Sequence, residues 1–269
     1  MRSDWTALPA TVTYKIAERV GGAFDVIPAT TGDHAEIAST VVGPDATIFV
    51  KAASGPISVP SLRYELAATT IIDRWPPAVL WHFEVDGWLV VATEHLHGPH
   101  PDLSPGSPDL DVLAAALDRL QATPAPAGTW YDPASRLGFE LPAAAGPGLV
   151  HTDLNPTNLI MTAGDLRIVD WAYTTKAAPW VELALLVQWL IGSGHTPEQA
   201  EAWLGRFPAW AAADRLVLDR FASECAAKWL TKSQRSTAQW VHGLATWTGE
   251  WADYRRMIGH RGLSVTGRH

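Results

Sequence analysis

Val150-His151-Thr152-Asp153-Leu154-Asn155-Pro156-Thr157-Asn158-Leu159-Ile160-Met161, followed by Leu166-Arg167-Ile168-Val169-Asp170-Trp171, is the stretch that decides the fold. Apolar residues flank 151–158 on both sides, which predicts a loop held between two buried strands. Such a loop fixes polar side chains while leaving them free to react. Asp170 ends the strand Arg167-Ile168-Val169 of a separate hairpin, whose turn is expected at Ala163-Gly164-Asp165. Two carboxylates and one carboxamide on paired loops are suited to phosphoryl transfer. One Asp (Asp153) accepts the proton of an attacking hydroxyl, and Asn158 with Asp170 offers oxygen ligands to Mg²⁺. Asp, Asn and Pro are common in turns, so neither Asp153 nor Asn158 carries this reading alone. The combination with Asp170 does. His151 is expected to brace the loop.

Upstream, Lys51 ends the apolar strand Thr47-Ile48-Phe49-Val50, and Glu65 lies one turn into the helix that follows. A strand lysine paired with a helix glutamate is how a kinase-type site holds the α- and β-phosphates of ATP. Glu94 and Leu96, where a strand leaves the N-terminal region, offer backbone groups to an adenine edge. Thr30-Thr31-Gly32-Asp33-His34-Ala35 stands where a phosphate-covering loop is expected, but it contributes the single glycine Gly32.

Short β-branched runs at 10–16, 37–42 and 47–51 predict strands, bounded by Gly, Pro and Asp. A helix is expected from Val59 to about Asp73, closed by Pro76-Pro77, and a strand pair over 79–83 and 88–92 turned at Asp86-Gly87. Pro and Gly accumulate over 99–108 as a linker. Helical spacing of apolar residues then predicts helices at 110–121, 180–191, 197–207, 212–230 and 234–256, with 259–269 a basic tail lacking periodicity. The expected architecture is α+β and bilobal. A β-rich nucleotide-binding lobe spans 1–92, a hinge 93–98, and a mainly helical lobe with the catalytic loop and acceptor site 99–269.

These residues resemble the aminoglycoside phosphotransferase and choline kinase group of small-molecule kinases, which share the protein-kinase fold. The pattern H-G-D-x-x-x-x-N, then I-D-W or I-D-F, then D-L-A is met here by His151-Thr152-Asp153 through Asn158, Val169-Asp170-Trp171 and Glu182-Leu183-Ala184. Asp170-Trp171 in place of Asp-Phe-Gly points to the small-molecule branch. The resemblance runs from Gly32 to about Ala184. It implies that Asp153 is the base, that Asn158 and Asp170 bind magnesium, that Lys51 with Glu65 sets the ATP phosphates, and that Glu182 steadies the catalytic loop. It also implies a small-molecule hydroxyl acceptor: an aminoglycoside or other antibiotic, an amino-alcohol or a sugar. Thr152 and Thr157 replace small residues of the pattern and stiffen the loop. The alternative is a nucleotide-binding pseudokinase or regulatory module of the same fold.

A net charge of −8 argues against a nucleic-acid partner, which needs a basic footprint, and suits cationic small acceptors. No apolar run approaches the ~20 residues of a membrane span, so no membrane partner is expected. The N-terminal residues lack an apolar signal segment and there is one cysteine, Cys225, so a cytoplasmic location is expected. Neither the acceptor nor the oligomeric state can be read from these residues. The eight tryptophans from Trp180 to Trp251 read mostly as packing, with Trp240, Trp247 and Trp251 at helical spacing as candidates for an acceptor face.

Overall fold

The computed structural model describes residues 3–29, 35–163 and 165–265, the last five by backbone alone. In chain order the elements are α1 (Ala10–Val20), β1 (Asp25–Pro28), β2 (Ile37–Val42), β3 (Thr47–Ala53), α2 (Ser58–Ile71), β4 (Val79–Val85) and β5 (Trp88–Glu94). There follow α3 (Asp109–Gln121), α4 (Pro133–Leu137), β6 (Gly148–Val150), β7 (Leu159–Thr162), β8 (Asp165–Ile168) and β9 (Thr175–Ala177). The remainder is helical: α5 (Trp180–Gly192), α6 (Pro197–Leu204), α7 (Pro208–Ala211), α8 (Arg215–Ser233) and α9 (Gln239–Val265). The architecture is α+β and bilobal, with an antiparallel sheet and a helical region. The chain divides into two compact units, one of residues 1–100 with 157–172, the other of 101–156 with 173–269.

In the first unit a five-stranded antiparallel sheet runs in the order β1-β2-β3-β5-β4. Alternation along β3 sends Ile48, Val50 and Ala52 to one face, where they bury against Val12, Ile16 and Val20 of α1. The opposite face carries Lys51, while Ala53 packs with Leu62 of α2 and with Leu89 and Val91 of β5. Pairing of Lys51 with Val91 fixes this register, and a slip by one residue would turn the lysine into the core. The β4–β5 turn has positive φ at both Asp86 (+49°) and Gly87 (+79°), the geometry expected of Asp-Gly in a tight hairpin. Gly98 passes so close to the β7–β8 hairpin that a Cβ there would lie 1.8 Å from the Met161 carbonyl oxygen.

Residues 10–16, expected as a strand, form the start of α1. Val12, Ile16 and Val20 are fully buried and four residues apart, a spacing that fits both a two-residue and a helical period over so short a window. The β-branched composition favoured the strand, and burial of this stripe against the sheet overrides it. Gly21, at φ +89°, ends the helix.

In the second unit the short ladder of β6 and β9 joins the backbone just before His151 to that of residues 175–177, and α5, α6, α8 and α9 pack together. α8 begins at Arg215 rather than 212 because the Asp214 side chain caps it, accepting from the N–H groups of Leu216 and Val217 at 2.8 and 3.1 Å. α9 runs to Val265, well beyond the expected end at Arg256 and through much of the stretch expected to be a loose tail. Gly259 costs about 1 kcal/mol of helix propensity but does not stop a helix. Residues 266–269 and Gly164 of the expected turn lie outside the described residues. Arg255 is buried on α9, donating to Glu201 (3.0 Å) and Asp219 (2.6 Å) and so tying α6 and α8 to it.

Candidate active site

A cavity of about 460 Å³ opens on the second face of the sheet, lined by Lys51, Glu65, Leu96, Asn158, Asp170 and apolar residues that include Leu62 and Val91. This is the size range of small-molecule and cofactor sites. Lys51 Nζ lies 2.6 Å from Glu65 Oε1 and 3.1 Å from Asp170 Oδ1, and the three side chains are only 12–17% exposed. Burial pulls the Lys51 ammonium toward neutrality, but attraction to Asp170 and Glu65 outweighs it and holds its pKa well above the usual lysine range. Burial, with Asp170 close by, raises Glu65. One ammonium thus serves two carboxylates, leaving an excess of negative charge in a low-dielectric pocket.

The β7–β8 hairpin delivers Asn158 and Asp170 together. Leu159 pairs with Ile168, and the Val169 N–H donates to the Asn158 carbonyl at 2.9 Å. Asp170 then turns out of the ladder at φ +64°, a left-handed conformation uncommon outside glycine and typical of functional sites. Trp171 behind it is fully buried, its indole N–H donating to the Ile168 carbonyl at 2.8 Å. Among the described residues no group of three or more His, Cys, Asp or Glu side chains is placed to hold a metal. One carboxylate and one carboxamide in a pocket short of positive charge nevertheless fit Mg²⁺, which takes few protein ligands when phosphates supply the rest.

Glu94 and Leu96 both line the cavity. The Glu94 N–H donates to the Ala78 carbonyl (2.9 Å) and its side chain is bound to Arg167 (2.6 Å) and the Ala78 N–H (3.0 Å). Only its carbonyl, with groups from Leu96 onward, is in question for an adenine edge. Gly32 lies outside the described residues.

Asp153 is in the second unit. His151 is fully buried, and its Nδ1 accepts the Asp153 N–H at 3.2 Å, a bracing geometry. The buried Glu182 carboxylate, at the start of α5, accepts the N–H groups of His151 (2.5 Å) and Thr152 (3.1 Å). Burial pushes Glu182 up to about 7, opposed by those two N–H bonds and reinforced by Asp153. Thr152 sits at φ +66°, a conformation costly for a β-branched residue. It is held there because its Oγ1 donates to the Tyr173 carbonyl (2.8 Å) and accepts from Arg136 Nε (2.8 Å), while its carbonyl accepts from Arg136 Nη2 (2.9 Å). Arg136 also stands 3.9 Å from Asp153 Oδ1 and lies over the Tyr173 ring at 4.2 Å.

Arg136 was not foreseen. Asp132-Pro133 ahead of it is an N-cap followed by Pro at N1, a signal for α4 that the sequence does contain. The three tryptophans proposed as an acceptor face are differently placed. Trp251 is core, against Phe221 and Trp210, and Trp247 packs on Gly192 and Trp189. Trp240 alone is more than half exposed. They share a helix stripe, but burial deepens along it.

The sequence profile of the phosphotransferase enzyme family (APH) matches residues 134–216. Curated relatives include the thiamine kinases of Salmonella paratyphi A, 28% identical over 170 residues (54% of this chain), and of Salmonella paratyphi B, 30% identical over 153 residues (45% of this chain). The chain spans just over half of their length, 58% and 53%. Among solved structures, aminoglycoside phosphotransferase APH(4)-Ia in ternary complex with ADP and hygromycin B aligns with TM-score 0.58 and 15% identity, covering 91% of this chain and 98% of that one. Spectinomycin phosphotransferase APH(9)-Ia, bound to AMP, aligns with TM-score 0.55 and 11% identity, covering 88% and 94%. Among the described residues no helix is long and apolar enough to cross a membrane.

Proposed function

Because the chain has the protein-kinase-like fold of the aminoglycoside phosphotransferases, we propose that it is an ATP- and Mg²⁺-dependent phosphotransferase acting on a hydroxyl of a small molecule. The observation that carries this reading is the buried Lys51 shared between Glu65 and Asp170 on the wall of a cavity that Asn158 also lines. An ion triad there is expensive to bury for stability alone. It makes sense as a site prepared for a charged ligand. Lys51 orients the α- and β-phosphates, and Glu65 holds Lys51 in place. Asn158 and Asp170 hold Mg²⁺, which when bound offsets charge on the phosphates. Asp153 orients the acceptor hydroxyl and takes its proton. Catalysis then rests on positioning and charge complementarity, as expected for a loose phosphoryl-transfer transition state.

The similar proteins support a small acceptor without agreeing on one, since they include thiamine kinases and a structure holding hygromycin B. The single cysteine, Cys225, is free and buried, which supports a cytoplasmic location.

The test has two parts. Thermal unfolding with ATP, with and without Mg²⁺, should show stabilisation that depends on the metal. A panel of small alcohols should then yield Mg²⁺-dependent ADP together with a phosphate ester detectable by ³¹P NMR. Metal-dependent stabilisation without any ester across a broad panel would favour a nucleotide-binding module instead.

A further inference from the structure

The β7–β8 hairpin that carries Asn158 and Asp170 belongs to the first unit, yet it is a ladder of its own outside the five-stranded sheet. Its place against that sheet therefore comes from other bonds. On the β7 side the Met161 N–H donates to the Pro99 carbonyl (2.9 Å) and His100 Nδ1 to the Leu159 carbonyl (2.8 Å). On the β8 side the Ile168 N–H donates to the Trp75 carbonyl at 3.2 Å, and the Arg167 side chain adds three more bonds. Its Nε donates to the Trp75 carbonyl (3.3 Å), and its Nη2 to the Pro76 carbonyl (2.6 Å) and to Glu94 Oε1 (2.6 Å).

Leu166 and Ile168 on either side of Arg167 are buried, so strand alternation turns the guanidinium to the opposite face. There it joins three pieces of chain: the turn after α2, the end of β5 and the hairpin. The Glu94 carboxylate is itself fixed, since it also accepts the Ala78 N–H at 3.0 Å. A planar guanidinium holds its acceptors in a set geometry that a flexible ammonium does not copy. From Arg167 the path to Asp170 is three residues long. The Val169 N–H bond to the Asn158 carbonyl, at 2.9 Å, ties the two sides of the hairpin's open end together. A shift of β8 therefore moves Asn158 and Asp170 as a pair. Mg²⁺ tolerates such a shift poorly, because it demands near-octahedral geometry at about 2.0–2.1 Å.

We infer that Arg167 is a positioning residue for the metal: its fork, closed on Glu94 and the two turn carbonyls, sets where Asn158 and Asp170 meet the bound ion. The inference rests on the reading of those two residues as Mg²⁺ ligands. A second ion pair of the same unit supplies the contrast. Arg63 on α2 pairs with Glu84 on β4 at 2.8 Å, both more than half exposed, and neither residue touches the hairpin or lines the cavity. Loss of that pair removes an ion pair without moving the metal ligands.

The experiment uses the full chain with Mn²⁺ in place of Mg²⁺, because the EPR signal of free Mn²⁺ falls as the ion binds. Mn²⁺ is titrated with protein in excess of ADP, so that the nucleotide is held on the protein. Adenosine, which has no phosphates and reports the base site alone, is titrated separately by calorimetry. Wild type, Arg167→Met, Arg167→Lys and Arg63→Met are compared, each with its unfolding temperature. Arg167→Met should weaken Mn²⁺ by about tenfold, the low end of what loss of a group orienting metal ligands costs, while adenosine stays within about twofold. Arg167→Lys, which keeps the charge but not the fork, should fall between. Arg63→Met should match wild type for both ligands. Unchanged Mn²⁺ affinity in Arg167→Met, or equal losses for Mn²⁺ and adenosine, would overturn the inference. If Arg167→Met does not fold, Arg167→Lys decides: a several-fold loss of Mn²⁺ affinity supports the inference and wild-type affinity removes it. The two readings fail separately. Wild type that binds ADP without Mn²⁺ would sink the metal-ligand reading and this inference with it. Wild-type Mn²⁺ binding that ignores Arg167 would sink the inference alone.

Discussion

The two units solve opposite charge problems. In the first, one ammonium, Lys51, is surrounded by two carboxylates, Glu65 and Asp170, so the cavity wall is short of positive charge. In the second, the Asp153 carboxylate stands 3.9 Å from Arg136, and burial, then repulsion from Arg136 and Lys232, lowers the pKa of Lys228, so cations crowd one another there. A net charge of −8 describes neither. Local composition sets what a site attracts, because charges more than about 8–10 Å apart across solvent are largely screened. On the proposed reading the first unit is completed by Mg²⁺ and the phosphates it accompanies.

The largest expected effect comes from removing the Asp153 carboxylate. Asp153→Ala should lower the rate of ester formation by about 10²–10⁴-fold, the usual worth of a positioned general base. Stabilisation by Mg²⁺ and ATP should survive, since the cavity residues of the first unit are untouched. Steady-state ADP release and thermal shifts on the same preparation measure both. Near-wild-type turnover would remove Asp153 from the mechanism.

Next is Glu182, which ties the loop to α5. Its pKa is about 7 in the folded chain against an ordinary 4.5, so the folded state keeps a proton that the unfolded chain has lost. Stability should therefore fall as pH rises from about 4.5 to about 7 and then level off, by on the order of 3 kcal/mol from this group. Denaturant unfolding across that window checks the slope, and Glu182→Gln should flatten it. An identical slope in both proteins would place the titration elsewhere.

Legibility from sequence differs between the units in the same way. Lys51, Glu65, Asn158 and Asp170 could be picked out because each belongs to or flanks a regular element: an apolar strand (Lys51 within β3, not at its end), the helix after it (Glu65 two turns into α2), and the two sides of one hairpin. Alternation and hairpin register then carry them to one cavity wall. The cation cluster had no such signature. Arg136, Lys228 and Lys232 belong to segments about ninety residues apart in sequence, and α4 is only five residues long. Nothing in spacing predicts that Lys228 would seek the Leu137 carbonyl. Residues 10–16 failed for a different reason, a period shared by strand and helix, and the helix past Arg256 failed because the stop signal was weak. Arg255, which no motif or spacing singles out, is a buried tie among three helices.

A smaller effect is expected at Lys51. With Mg²⁺ and ATP in about hundredfold excess over Kd, a competent site gains about 2.7 kcal/mol of stability. Lys51→Met should lose most of that gain, although the ligand-free variant is itself weakened by leaving Glu65 and Asp170 without their shared ammonium. The quantity to compare is the difference in unfolding temperature with and without ligand. A full ligand shift in Lys51→Met would detach the triad from nucleotide binding.

The smallest effect separates strain from bonding at Thr152. Its left-handed backbone, φ +66°, costs on the order of 1–2 kcal/mol for a β-branched residue. Against this stand the hydroxyl bonds to the Tyr173 carbonyl and from Arg136, each worth about 1 kcal/mol. Thr152→Gly removes both sides of that balance, so its stability should lie within about 1 kcal/mol of wild type. Thr152→Val keeps the strain and breaks both bonds, so it should be the less stable variant by about 2 kcal/mol or more. Equilibrium unfolding of the pair decides the matter. If Val and Gly proved equally stable, the hydroxyl would not be what holds this backbone. The threonine would then be a tolerated replacement for glycine and not the anchor through which Arg136 is fixed beside Asp153.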